Sequence, residues 1–261
     1  MQVRHRDAKK YFEECALSCQ AHYIPFIKDS AGADFGAGYS VLEVGCAKGG
    51  NLVPFAGLGC EVTGIDIHKA PVDEARIFFS EMGLAGTFIH SDILEYHDTS
   101  RKFDLIIMRD VIEHIAAKEA LLNHLRNFLK KDGVIFIAFP AWQMPFGGHQ
   151  QVAESKVMAN FPYIHLLPRR LYRFALKSFG ESEAKISGLL EIKDTRITVE
   201  SFTRLVSATN YETAGRKFYL INPHYEVKFG LKPRILWPAI GAIPYFRNFL
   251  ITTCFCLLRN K

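Results

Sequence analysis

An α/β fold, with a mostly parallel sheet covered by helices on both faces, is predicted for this 261-residue chain by three observations. Short apolar runs of strand character alternate with amphipathic helical patterns, which implies right-handed crossovers between parallel strands. A glycine-rich turn spanning Gly45 to Gly49 follows the first run, Val41 to Val44, and leads into a helix start. Acidic residues then close the second and third runs, at Asp66 and Asp92. With 49% hydrophobic residues the chain can bury one substantial core, so a single enlarged domain is expected.

The elements follow in order. Residues 8–28 read as an amphipathic helix carrying Phe12, Cys15, Ala16 and Cys19 on one side and interrupted near Pro25; residues 1–34 form a helical cover for the cleft. The core proper spans 35–139. Pro54 and Pro71 are tolerated because each opens a helix, where backbone donors have no intrahelical partner. The second of these helices turns Val72, Ala75, Phe79 and Met82 one way and stops at Gly83. Residues 115–130 continue the helical pattern, Lys131 to Gly133 turn the chain, and Val134 to Phe139 read as a buried strand. From Pro140 to 197 prolines punctuate aromatic and basic residues, an insertion read as a substrate lid. Residues 198–261 hold a last helix, with Thr198 and Glu200 at its start, and strands at Arg216–Ile221 and Ile251–Leu258.

The turn carries the chemistry. Glycine accepts positive φ without steric cost, so Gly45 and Gly49 suit a backbone lying against a ligand. Glu43 just before the turn would repel a pyrophosphate and attract a cofactor with a positively charged amino-acid end, which S-adenosylmethionine has. Asp66 lies about 20 positions on, where a carboxylate meets ribose hydroxyls. A nicotinamide dehydrogenase is the competing reading, but Gly45, Ala47 and Gly50 match its three-glycine spacing imperfectly.

Glycine turn, ribose acid, adenine acid and the segment Arg109-Asp-Val-Ile-Glu-His114 after the fourth strand occur in the order that resembles the class I S-adenosylmethionine-dependent methyltransferases, in the branch that includes ubiquinone-biosynthesis-like O-methyltransferases. The resemblance covers residues 35–140. It implies a Rossmann-like, seven-stranded, mostly parallel sheet whose final strand enters antiparallel, with the lid after the fifth strand. It also implies that Glu43 attracts the methionine end, Asp66 holds the ribose and Asp92 meets adenine. Ile67 and Ile93 would sandwich the adenine ring, with Gly45, Cys46, Ala47, Gly49 and Arg109 completing the cofactor contacts. Ala47 stands where the family has its second glycine.

Methyl transfer is an in-line attack on a sulfonium methyl, so alignment dominates and can be worth about 7 to 11 kcal/mol. An oxygen acceptor also needs its proton removed by a base or by a metal ion. His149, in Phe146-Gly-Gly-His-Gln150 past the fifth strand, is the candidate base, with Gly147 and Gly148 allowing close approach to a ligand. Alternatively Asp110, Glu113, His114 and His149 resemble the divalent-metal arrangement of some methyltransferases, including small-RNA 2′-O-methyltransferases, which carry Glu-x-x-Glu-His where this chain begins with Asp110. Helix capping and packing are the plain alternative for Asp110, Glu113 and His114, and backbone hydrogen bonding for His149; His165, beside Tyr163, is a weaker candidate base, and His90 is read as structural.

A net charge of +5 (32 basic minus 27 acidic residues) is moderate and does not by itself call for nucleic acid. Arg169, Arg170, Arg173 and Lys177 recur near helical spacing opposite Leu171, Phe174 and Leu176, as a solvated face or as a contact for anionic groups. Six scattered cysteines lack zinc-ribbon spacing, and Cys254 and Cys256 share one face of a strand. The polar N-terminus has no leader-like apolar core, so a reducing, cytoplasmic setting with free thiols is expected. The apolar stretch from Ile235 to Leu258 is divided by Arg247 into uncharged runs of 12 (235 to 246) and 11 (248 to 258) residues, short of the about 18 to 20 that span a bilayer. An interior strand is expected there, with peripheral membrane attachment through Trp237, Tyr245 and Phe246 as the alternative.

The expected function is O-methylation of a small or medium polar acceptor such as a sugar or glycan intermediate, a quinone-like compound or a lipid. An RNA-modifying methyltransferase and a non-catalytic cofactor-binding domain are the competing classes.

Overall fold

In the computed structural model, which describes residues 7–261, eight strands form one sheet in the order β3-β2-β1-β4-β5-β8-β6-β7. The strands are β1 (Ser40–Val44), β2 (Glu61–Asp66), β3 (Thr87–His90), β4 (Phe103–Arg109), β5 (Leu129–Phe139), β6 (Tyr211–Ile221), β7 (Arg234–Ile235) and β8 (Thr253–Asn260). The first five pair in parallel, and β8 inserts antiparallel between β5 and β6. Seven strands were expected. The eighth is the two-residue edge strand β7, paired with Tyr219 and Ile221 and too short to leave a periodic signal.

Parallel strands are covered on both faces, and β1 is buried at every position. The apolar C-terminal run finds its place for the same reason: Thr253 to Leu258 are all buried in the middle of the sheet, where Cys254 and Cys256 lie with their Sγ atoms 3.5 Å apart.

The helices, in chain order, are α1 (Ala8–Ser18), α2 (Ile24–Ala31), α3 (Val53–Gly57), α4 (Lys69–Glu81), α5 (Lys118–Leu125), α6 (Lys156–Asn160), α7 (Arg169–Ser178), α8 (Glu183–Thr195), α9 (Val199–Ala208), α10 (His224–Phe229) and α11 (Pro238–Gly241). A π-turn, Cys19–Tyr23, joins α1 to α2, so Pro25 sits at a helix start and the cover runs to Ala31. The segment before it, read for a leader, lies outside the described residues. Gly83 ends α4 with φ 65°, but Met82 is exposed and does not share the buried face of Val72, Ala75 and Phe79. α5 stops at Leu125, and Lys131 to Gly133 bulge within β5. Thr198 caps α9 through a capping box closed by Ser201, whereas Glu200 is buried.

The insertion after β5 is more regular than its prolines imply. α6, α7 and α8 share a small core of Met158, Tyr172, Leu176, Ile186, Leu189 and Leu190. Tyr172 and Leu176 form the inner face of α7, while Leu171 and Phe174 are exposed. Its basic side is largely paired, Arg169 with Asp194 and Arg173 and Lys177 with Glu183.

Candidate active site

The strand order reverses between β1 and β4, and the crevice beyond their carboxyl ends is where open α/β sheets take ligands. Gly45 enters it with φ 70°, and its N–H and that of Cys46 both donate to Ile65 O at the end of β2. A Cβ on Gly45 would lie 2.3 Å from Val111 Cγ2, so the close approach excludes any side chain. Ala47 also takes positive φ (44°), at a cost of about 1 kcal/mol for a non-glycine residue. Its N–H donates to Asp66 Oδ2 at 2.8 Å, which holds the strained turn in place. The N–H of His68 donates to Asp66 Oδ1 at 2.8 Å, so each carboxylate oxygen is fixed by one backbone donor and keeps spare acceptor capacity.

Glu43 is buried beneath the turn. Oε1 accepts from Asn51 Nδ2 at 2.6 Å, and Oε2 is buried with no partner. Burial pushes its carboxyl up to about 8. A buried, unpartnered acceptor costs about 1 to 3 kcal/mol, and the ammonium end of the expected cofactor is the group that would satisfy it. Asp92 Oδ1 accepts from Leu94 N at 2.8 Å.

Three expectations change. Ile67 is 57% exposed and offers an apolar face, but Ile93 is packed in the core, so the adenine sandwich lacks that wall. Cys46 turns its sulfur beneath the turn against Gly64, where an added Cβ would meet it at 2.7 Å, and contributes backbone only. Arg109 is held by protein contacts, with Nε 3.2 Å from Asp110 Oδ2, Nη1 3.2 Å from Cys15 Sγ and its guanidinium over the Tyr23 ring, while it also lines the cavities at the glycine turn and beside His149.

Glu113, His114 and His149 come together beside this cleft, with one ligand atom of each within 4.8 Å of the others. His149 Nε2 lies 3.8 Å and His114 Nε2 4.0 Å from Glu113 Oε1. Both carboxylate oxygens of Glu113 are buried without a hydrogen-bond partner. Burial, reinforced by Asp110, pushes Glu113 well above the carboxylate range. Burial and the neighbouring His114 hold His149 down, to about 4, and burial lowers His114. Two neutral imidazoles facing a starved carboxyl are a donor set that suits a divalent ion. Asp110, expected as a fourth ligand, falls outside the trio because its carboxylate turns to Arg109.

His149 adopts φ 54° at the start of a short 3₁₀ turn. The glycines before it serve packing rather than ligand access: a Cβ on Gly147 would meet Trp142 O at 2.2 Å and one on Gly148 would meet His165 Cβ at 2.3 Å. His165 is fully buried, with Nε2 2.8 Å from Trp142 O, and is structural.

A cavity of about 350 Å³ opens next to the trio, lined by Tyr11, Asp110, Phe146, His149, Tyr225 and Phe229 among others. Sequence reasoning missed Tyr225 and Phe229, since α10 follows β6 and reaches the site only by packing against the distant α1. It also missed Asn51, the Glu43 partner.

Residues 12–177 match the methyltransferase domain family. The chain belongs to that family. The methyltransferase is 27% identical over 144 residues to the ubiquinone biosynthesis O-methyltransferase of Bartonella tribocorum, covering 53% of this chain and 58% of that protein. It is 29% identical over 146 residues to the protein of the same name from Bartonella bacilliformis, covering 54% and 59%. The chain thus spans less than two thirds of these relatives. In fold it is similar to magnesium protoporphyrin IX methyltransferase from Synechocystis, solved with bound S-adenosylhomocysteine (TM-score 0.55, 14% identity, 95% of this chain and 84% of the other).

Proposed function

We propose that this methyltransferase domain transfers the methyl group of S-adenosylmethionine to a hydroxyl oxygen of a small or medium-sized acceptor seated in the cavity beside His149. The observation that carries the reading is Glu113, buried with both oxygens unpartnered and faced by two neutral histidines. In this reading Glu43 Oε2 receives the cofactor's ammonium, Asp66 the ribose hydroxyls, Asp92 the adenine amino group and Ile67 one face of the ring. Glu113, His114 and His149 would hold a divalent cation, which when bound would supply charge to lower the pKa of a nearby hydroxyl.

His149 is better suited to a ligand's role than to a base's. A base works best with a pKa near the working pH, and an imidazole held to about 4 is far below it. As a neutral ligand it needs no proton at all. Tyr11, Phe146, Tyr225 and Phe229 provide aromatic walls for an acceptor. Ion pairing along α7 leaves little free positive charge for a phosphate backbone, which disfavours an RNA acceptor.

Calorimetry with S-adenosylhomocysteine, alone and with manganese, tests the reading. Tight binding of the product, together with a manganese site lost in Glu113→Gln, supports it. Manganese binding that survives this change removes the metal assignment, and absence of product binding removes the cofactor assignment.

A further inference from the structure

A surface arm runs from Phe229 to Phe249 and leaves most of its large apolar side chains exposed. Trp237 is 70% exposed and Tyr245 62%, and Ile235, Ile243 and Phe246 are exposed as well. α11, in the middle of the arm, buries none of its residues.

The arm is nevertheless held at both ends. Leu236 is buried and its N–H donates to Phe218 O at 2.7 Å. At the far end Glu200 accepts from Asn248 Nδ2 at 2.6 Å and from Arg247 Nε at 3.0 Å. Tethered in this way, the aromatic residues cannot fold back to cover themselves. Contiguous exposed apolar surface of this kind marks an interaction site.

The charge around the arm is one-sided. No Asp or Glu occurs after Glu226, while Lys232 and Arg234 are exposed within the arm. Neither forms an ion pair among the described residues, in contrast to the paired cations of α7. Trp and Tyr beside unpaired Lys and Arg match the boundary between acyl chains and anionic headgroups. Among the described residues no helix is long and apolar enough to cross a membrane.

We infer that the 229–249 arm docks this chain on an anionic lipid surface, with Trp237, Tyr245 and Phe246 entering the headgroup boundary and Lys232 and Arg234 facing the phosphates. Phe229 connects the arm to the acceptor cavity, because it is both exposed and part of the cavity lining. Docking would therefore turn the cavity mouth toward the bilayer. Phe249 packs near the insertion's Tyr163 at a ring separation of 6.4 Å, so the same surface continues onto the insertion.

The test is sedimentation of the full chain with phosphatidylcholine vesicles, with and without phosphatidylglycerol, a readout independent of methyl transfer. The expected result is partition onto the phosphatidylglycerol vesicles that weakens with salt. Lys232→Glu with Arg234→Glu should reduce it on the order of tenfold, and Trp237→Ser with Tyr245→Ser should abolish it. Each variant is checked for retained S-adenosylhomocysteine binding to exclude misfolding. Of the two tryptophans only Trp237 is exposed, Trp142 being buried, so a blue shift of emission on vesicle addition reports its insertion. Equal failure to bind either vesicle overturns the inference. So does binding that survives the arm changes but is lost in Arg170→Glu with Phe174→Ser, and so does a concentration-dependent dimer broken by Trp237→Ser in place of vesicle binding.

Discussion

Glu113 and His149 face one another at the end of the sheet, Glu113 Oε1 standing 3.8 Å from His149 Nε2 although one follows β4 and the other β5. β4 and β5 are parallel neighbours, so both segments emerge on the same side of the sheet. The register thereby brings a buried acid and a half-buried imidazole together without a hydrogen bond between them.

Replacing Glu113 by Gln should leave S-adenosylhomocysteine affinity within about twofold and lower turnover by about 10²-fold or more, the scale attached to loss of proton removal at an acceptor. His149→Ala should behave alike. Steady-state rates beside product binding check this, and unchanged turnover in both variants would refute the site. Treatment of the wild type with a chelator should lower turnover without lowering cofactor affinity, and added manganese should restore it.

Glu43 makes cofactor binding depend on pH. In the cofactor-free fold burial raises its carboxyl from an ordinary 4.5 to about 8, so the native state keeps a proton that the unfolded chain has lost. The sign follows: this group's contribution to stability is full below about 4.5 and declines as pH rises toward 8. An ammonium at Oε2 expels the proton, so affinity for the cofactor should rise with pH up to about 8. Calorimetry at neutral pH in two buffers of different ionisation enthalpy should register proton release. Glu43→Gln should remove that release and weaken binding by about 1.5 to 3 kcal/mol, the range for a charged hydrogen bond.

Asp66→Ala should cost more than the ribose contact alone. The carboxylate also accepts from the N–H groups of Ala47 and His68, so its loss frees the strained turn. A fall in S-adenosylhomocysteine affinity of about 10²-fold or more is expected, at about 1 to 3 kcal/mol per lost partner. Unchanged affinity would sink the assignment.

Gly148→Ala tests the packing role of the His149 loop. The new methyl would fall 2.3 Å from His165 Cβ, a buried and hydrogen-bonded residue with no room to retreat. Overpacking of this kind costs about 1 to 3 kcal/mol. Thermal unfolding should show a lower Tm with product binding retained, and an unaltered Tm would refute the packing account.

What the sequence determined by itself was local in origin. A strand, a turn needing positive φ and a helix start are encoded within a dozen residues, so Glu43, Gly45, Gly49 and Asp66 were readable in order. The apolar run at 251–258 likewise announced an interior strand, observed at Thr253–Asn260, because a charge-free stretch too short for a bilayer has few other places to go. The tertiary structure alone decided which residues share a site. It turned Asp110 toward Arg109 and away from Glu113, His114 and His149, buried Ile93, assigned Gly147 and Gly148 to Trp142 and His165, and delivered α10 to the cavity beside His149. It also left the 229–249 arm uncovered. Those outcomes depend on register and on contacts between distant segments, and residue spacing along a chain carries no measure of either.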